Sequence, residues 1–288
     1  MRKSYLILHI AVILAGFTGI FGKLISLNEV ALVWYRVLFS TLILLLGFKI
    51  LKVKRLDSLK DKIVIVQVGS LLMLHWIFFY ASIKYANVSV GVICYCLTSF
   101  FTAIFAPIIN KKRFNYEQLF LSLLTIVGIS LIFHFDASYQ LGIILGVISS
   151  SFSALYTIYN ERIVLKYDSK MINYYQLGGG TILLGILMPF YYLIFPQLVY
   201  IPSLTDVVYL ILFSIFCTIG LYILFAEALK NLSAFTVNLT FNLEPIYAIG
   251  LAFLIFDEAK EVNASFYWGL ALVLLSVVLQ AIFSLIKR

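Results

Sequence analysis

The 288-residue chain is 63% hydrophobic and only 12% charged, whereas a soluble domain runs near half apolar and a quarter charged. So much apolar surface exceeds what one aqueous core hides; lipid is therefore the solvent, and at roughly 20 residues per crossing the length leaves only short loops. The net charge of +8 does not indicate a nucleic-acid partner, because the basic residues fall in short segments between apolar runs and report topology instead.

In chain order, apolar runs of helical length lie at about 5–22, 30–48, 63–83, 88–109, 117–134, 140–159, 171–195, 206–229, 234–256 and 265–286. They predict an all-α integral membrane protein of ten transmembrane helices. The first run follows Arg2 and Lys3, has no clear small-x-small cleavage site and leads straight into further spans, so it reads as a retained helix. Breaks are marked by the Lys49 to Lys62 linker, Asn110-Lys111-Lys112-Arg113, Asp136, the Glu161 to Lys170 stretch, the Pro196 to Pro202 turn and Asp257-Glu258.

With a cytoplasmic N-terminus, the even-numbered loops and both ends hold 17 of the 21 basic residues. Lys23, Lys84 and Lys260 fall on the other side, and Arg36 lies within a span. The positive-inside rule then places both termini in the cytoplasm of a cell (inner) membrane.

An internal repeat is also visible. Ala81-Ser82-Ile83-Lys84-Tyr85-Ala86-Asn87-Val88-Ser89 overlays Glu227-Ala228-Leu229-Lys230-Asn231-Leu232-Ser233-Ala234-Phe235. The third and fourth helices thereby pair with the eighth and ninth. An offset of five spans inverts one half against the other, with expected halves at 1–135 and 139–288 and a site between them near the midplane.

Polar residues inside spans are the candidate site. Arg36, on the second helix, either snorkels to the outer interface or grips a substrate carboxylate. His75 sits mid-span in the third helix, with Gln67 eight residues earlier on a similar face; its imidazole binds substrate, carries a proton, or links helices as a neutral hydrogen-bonding group. Trp76 beside it reads as packing. Uncharged stripes follow: Gly91, Tyr95, Thr98 and Thr102 on the fourth helix, then Ser149, Ser153, Tyr156 and Asn160 on the sixth. Asn173 and Gln176 stand on the seventh, and Ser214, Thr218 and Tyr222 on the eighth. Such residues are also ordinary helix-packing glue. On the ninth, Thr236, Thr240 and Glu244 recur at four-residue steps as one stripe, and Pro245 frees a carbonyl, which suits a broken helix lining a cavity. The alternative is a Glu244 held protonated by interhelical bonds. Gly16, Gly19 and Gly22 read as close packing, Glu227 and Lys230 as a local ion pair, and Cys94, Cys96 and Cys217 as small packing residues. No metal cluster, cofactor loop or catalytic set is found in the sequence.

The chain resembles the drug/metabolite transporter superfamily, in its EamA-like branch. The residues that carry the resemblance are Ala81-Ser82-Ile83-Lys84-Tyr85-Ala86-Asn87-Val88-Ser89, and Leu243-Glu244-Pro245-Ile246-Tyr247-Ala248 running into Phe256-Asp257-Glu258. The resemblance implies ten helices in two inverted five-helix halves around a central cavity, export of small metabolites such as amino acids, and a Glu-Pro pair at Glu244 and Pro245. The first half departs from the pattern, with Ser99 at the position equivalent to Pro245 and Lys111-Lys112-Arg113 in place of a Gly-Glu pair.

The expectation is a secondary transporter working by alternating access, with Arg36, His75, Tyr95, Thr98, Tyr156, Gln176, Tyr222, Thr240 and Glu244 binding a small-molecule substrate and protons as a candidate coupling ion. The competing class is a non-transporting sensor or assembly partner, in which the same stripes are mutually satisfied packing.

Overall fold

The computed structural model describes residues 2–51, 56–132, 139–256 and 264–286. The Asp136 and Asp257-Glu258 breaks, Lys52, Lys54, Arg55, Lys260, Lys287 and Arg288 lie outside the described residues. Among the described residues the chain forms ten helical crossings: α1 (Arg2–Leu24), α2 (Glu29–Leu51), α3 (Leu59–Tyr85), α4 (Val88–Asn110), α5 (Tyr116–Ile132), α6 (Gln140–Ile163), α7 (Ser169–Ile194), α8 (Leu204–Leu229), α9 (Ala234–Phe256) and α10 (Ala264–Ile286). Eight are long and apolar enough to cross a bilayer; α5 and α10 contribute the shorter apolar stretches Tyr116–Gly128 and Tyr267–Leu279. The chain is a multi-pass membrane protein.

The helices start where the sequence supplies a cap. Ser58, Asn87, Asp168 and Ser233 each accept a bond from a first-turn backbone N–H of α3, α4, α7 and α9. Ser203 and Asp206 form a reciprocal capping box at α8.

Three crossings are not continuous α-helix. The fourth is Val88–Tyr95 followed by Leu97–Asn110, hinged at Cys96. The ninth is Ala234–Phe241 followed by Glu244–Phe256, hinged at Asn242 and Leu243. The eighth passes through a π-helical segment, Phe213–Gly220. The ninth break accords with Pro245, whereas nothing so plain marks the other two.

Packing follows a five-helix offset. The α3 helix packs along α6, and α8 packs along α1; both halves of α4 pack on α6, and both halves of α9 on α1. Each second pair is the first with every helix exchanged for the one five places away, forward from the first half and back from the second. The α2–α7 and α5–α10 contacts map onto themselves, and the first half of α4 meets the second half of α9 while the remaining halves meet each other.

Glycines allow the closest approaches. A Cβ on Gly16 would stand 2.5 Å from the Tyr247 Cβ, one on Gly19 2.9 Å from Val88, and one on Gly22 2.6 Å from the Tyr80 ring, so the α1 glycines serve packing against α9, α4 and α3. On α6, a Cβ on Gly146 would lie 2.5 Å from the Cys94 Cβ, while Gly47 has nothing within 4 Å. Gly146→Ala should therefore destabilise by about 1–3 kcal/mol through overpacking, whereas Gly47→Ala should be neutral or slightly stabilising. Melting temperatures in detergent check this; equal behaviour of the two variants would contradict the packing.

Candidate functional site

At mid-depth α1, α3, α4, α8 and α9 enclose a central cavity. It is lined by Ala15 and Thr18 of α1, His75, Trp76, Phe79 and Tyr80 of α3, Tyr95 of α4, Leu221 and Tyr222 of α8, and Phe241 and Glu244 of α9. The volume open to a water-sized sphere is about 20 Å³, room for about one water.

Glu244 begins the second half of α9 and is 3% exposed. It has no hydrogen-bond or ion-pair partner among the described residues. The reading in which interhelical bonds hold this carboxyl is therefore not the arrangement found.

His75 is buried against α6. Its Nδ1 lies 2.8 Å from Ser149 Oγ and 3.2 Å from Ser149 O, while Ser149 Oγ donates to His75 O at 3.0 Å. A serine hydroxyl has one proton, and here it goes to the His75 carbonyl. Ser149 therefore only accepts at Nδ1, which places the imidazole proton on Nδ1 and leaves Nε2 bare. The ring stands 5.2 Å from Tyr95 and 5.8 Å from Phe79, centroid to centroid.

Arg36 does not snorkel. Its side chain turns inward and is 0% exposed. Nε donates to Thr218 Oγ1 at 2.7 Å, Nη1 to Tyr80 OH at 2.7 Å and Nη2 to Cys217 O at 2.8 Å. The guanidinium is sandwiched between Trp76 at 3.7 Å and Phe213 at 4.2 Å, a cation–π arrangement that partly replaces lost hydration. The π-helical segment makes this contact available. Leu221 N–H bonds Phe216 O and Thr218 O, passing over Cys217 O, which Arg36 takes. Arg36 thus stands one ring behind the cavity wall.

Other expected residues sit elsewhere. Tyr156 packs 6.1 Å behind Tyr222, and its hydroxyl donates to Gln176 Oε1 at 3.3 Å; Gln176 in turn donates to Asn160 at 3.0 Å. Thr98 is buried, and its hydroxyl has no partner among the described residues. Thr240 lines a separate apolar groove of about 480 Å³ with Tyr5, Leu6, His9 and Thr236. The stripe Thr236–Thr240–Glu244 is split because the break at Asn242 and Leu243 changes the helical phase. The structure therefore brings His75, Tyr95, Tyr222 and Glu244 together, with Arg36 adjacent, and places Thr98, Tyr156, Gln176 and Thr240 outside the cavity lining.

Sequence reasoning missed the residues that hold the hinges. Asn238 donates to Thr102 at 2.7 Å and accepts from Thr157 at 3.0 Å; Asn242 donates to Ser99 at 3.3 Å, and Ser99 donates to Cys96 O at 3.0 Å. The signal was present as two asparagines four residues apart in an apolar run.

Polar contacts close the bundle on either side. At one end Ser26 donates its backbone N–H and hydroxyl to Asp206, Tyr191 donates to Glu29, and Lys84 donates to Ile25 O. At the other, Glu227 accepts from Ser169 and from Lys230, the latter at 2.6 Å, which is the ion pair expected there.

Arg36→Lys should lower stability by about 2–4 kcal/mol, since an ammonium neither serves three separate acceptors as a flat fork nor stacks as a plate between two rings. A thermal-shift assay in detergent reads this, and an unchanged melting temperature would refute the clamp.

Comparison with known proteins gives consistent matches. The family model described as "EamA-like transporter family" matches twice, over residues 2–134 and 140–282. An "Uncharacterized transporter" of Clostridium kluyveri is 24% identical, covering 91% of this chain and 88% of that one. The "Uncharacterized transporter YdfC" of Bacillus subtilis is 27% identical, covering 67% and 60% respectively. A crystal structure aligns over 99% of both chains with a TM-score of 0.72 at 12% identity, a likeness of fold alone.

Proposed function

The chain belongs to the EamA-like transporter family, and from that premise we propose that it is a secondary transporter that exports small metabolites, such as amino acids or related compounds, by alternating access. The two halves, 1–135 and 139–288, are inverted repeats that rock against each other around the central cavity. The observation that carries this reading is the unpartnered Glu244 carboxyl at the wall of a mid-membrane cavity, beside the hinges of two broken helices. Burying such a group without a partner is expensive, which makes it a functional group before a structural one. The polar belts at the two ends of the bundle supply two gates, one to be released in each open state. Protons are the coupling ion, carried at Glu244.

Proteoliposome uptake and counterflow, screened over amino acids, nucleosides and drug-like cations, test the reading. Saturable counterflow is expected, reduced at least about tenfold by Glu244→Gln. Folded protein that moves no compound would favour the sensor reading, toward which the small cavity points. Proton coupling is refuted if transport continues unchanged both after the proton gradient is collapsed and in Glu244→Gln.

The topology belongs to the same proposal: an inner-membrane protein with both termini cytoplasmic. A C-terminal green fluorescent protein fusion should fluoresce in a bacterial host and the matching alkaline phosphatase fusion should be inactive. The opposite pair of results would invert the orientation.

A further inference from the structure

A second cavity, far larger than the central one, opens where the first turns of α3 meet the end of α6. It holds about 440 Å³, against about 20 Å³ at mid-depth, a size at which small ligands are bound. Its floor is apolar, made by Val64 and Val68 of α3 and Ile163 of α6, with the Tyr159 ring beside them. Its rim is cationic: Lys60 on α3, Arg162 on α6 and Lys166 in the turn that follows. The Lys60 and Lys166 ammonium groups meet no acceptor among the described residues. Arg162 directs Nη2 to Ile109 O and Asn110 Oδ1 of α4, stands 5.5 Å from the Tyr159 ring and keeps Nε and Nη1 open. Of the nearby acids, Asp61 lies within reach of the Tyr167 hydroxyl, and Glu161 turns away to accept the Ala234 N–H.

The floor continues into the bilayer. Residues seven apart share a helix face; the half-buried Leu71 and Phe78 follow Val64 on α3, and the half-buried Phe152 precedes Tyr159 on α6. Phe78 and Phe152 stack across the seam at 5.8 Å and 10°, so the two stripes meet along one groove. The inner faces of the same helices are joined by His75 to Ser149 and by Ser82 to Gly142 O, which leaves this groove on the lipid side. The neighbouring cleft that holds Lys112 and Arg113 differs, being lined by Asn110, Asn115, Gln118 and Glu161. At the α1–α8 seam, the five-helix counterpart, the first turn of α8 carries Asp206, bonded to Ser26 and Ser203. Cations above an apolar groove are thus a property of the α3–α6 seam.

A matching molecule has an anionic head and a hydrocarbon tail. Going beyond the transport reading and independently of it, we propose that this groove holds one anionic glycerophospholipid from the leaflet at the end of the bundle where Lys60 and Lys166 stand. Its phosphodiester oxygens accept from Lys60, Arg162 and Lys166, and one acyl chain lies along the α3–α6 seam past Val64 toward Phe78 and Phe152. A zwitterionic lipid with the same chains fits the seam but sets its own cation against the rim. A free phosphate satisfies the rim and leaves the apolar floor in water. The lipid joins α3 to α6 at their ends, as His75 and Ser149 join them at mid-depth, so its binding stabilises the pair of helices from which His75 enters the central cavity.

The test uses the purified full-length protein, delipidated in a non-ionic detergent. It is titrated separately with dioleoylphosphatidylglycerol, dioleoylphosphatidylcholine and glycerol 3-phosphate. Native mass spectrometry counts bound lipid, and a thermal-shift assay reads the stabilisation that binding confers. Phosphatidylglycerol should form one retained adduct, bind at least about tenfold more tightly than phosphatidylcholine and raise the melting temperature. Glycerol 3-phosphate at the same concentration should not raise it. Lys60→Gln combined with Lys166→Gln leaves Arg162 and its α4 bonds in place. This pair should weaken phosphatidylglycerol binding at least about tenfold, since a basic residue near a membrane surface contributes on the order of fivefold. Lys112→Gln combined with Arg113→Gln, in the neighbouring polar cleft, should leave it unchanged. The proposal is overturned if the two lipids bind equally, if both double variants lose the same affinity, or if cooperatively melting wild-type protein retains no phosphatidylglycerol. Equal stabilisation by glycerol 3-phosphate would make this a free-phosphate site and overturn the lipid assignment. A dimer in place of the lipid adduct would give the groove to a second copy of the chain and do the same. No flux is read, so each of these outcomes leaves the transport reading to its own test.

Discussion

In the apolar centre of a bilayer a helix is interrupted only where something else takes over the hydrogen bonds that the interruption frees, and here each break is bridged by i→i+3 backbone bonds, from Ser99 N–H to Cys96 O in α4 and from Asn242 N–H to Leu239 O and Leu243 N–H to Thr240 O in α9, while side chains tie the two breaks together. The two hinges lie side by side. Asn242, at the break in α9, donates to Ser99, which donates to the carbonyl of Cys96 at the break in α4. Four residues earlier, Asn238 joins α9 to Thr102 of α4 and Thr157 of α6. With the hinges fixed, the second half of α9 is free to start at a new phase, and its first residue, Glu244, faces the cavity. The position of the Glu244 carboxyl in the cavity wall is thus a by-product of how two broken helices are joined.

A second buried network shapes the opposite wall. The π-helical segment of α8 leaves Cys217 O for Arg36, and the guanidinium then presses on Trp76, whose other bond goes to Tyr222. Trp76 and Tyr222 meet edge to face at 5.1 Å. The aromatic wall is thus tied by direct contacts where it backs on Arg36, whereas the void of about 20 Å³ lies on its other side, beside Glu244.

The spans were legible because length and apolarity alone determine what crosses a bilayer; the ten runs in the sequence and the ten crossings agree to within a few residues at most ends. The five-helix offset was visible in one short overlay and reappears in which helices pack together. The misplacements have a common physical cause. Thr240 was aligned with Glu244 by counting four residues through a stretch that is not one helix, and Arg36 was weighed between the outer interface and a substrate because two of its three protein acceptors lie more than 180 residues away and the third, Tyr80, is on another helix. The π-helical segment carries no proline, and its single glycine, Gly220, stands at its end. Tyr156 and Gln176 share a polar character with the cavity residues but satisfy one another, and which partner a polar group finds is decided by tertiary packing, not by spacing.

The Arg36 clamp also bears on how the protein is made. Thr218 is synthesised 182 residues after Arg36, a delay on the order of ten to forty seconds at ordinary elongation rates. Throughout that interval the nascent second helix carries a guanidinium with neither its α8 acceptors nor the Phe213 ring to cover it. It must wait near the lipid headgroups, in the translocation channel, or under a chaperone until the eighth helix emerges. The Arg36 site is therefore incomplete in the first five helices alone, even though the family model matches each half of the chain separately. The order of synthesis makes the second half the completing partner of the first.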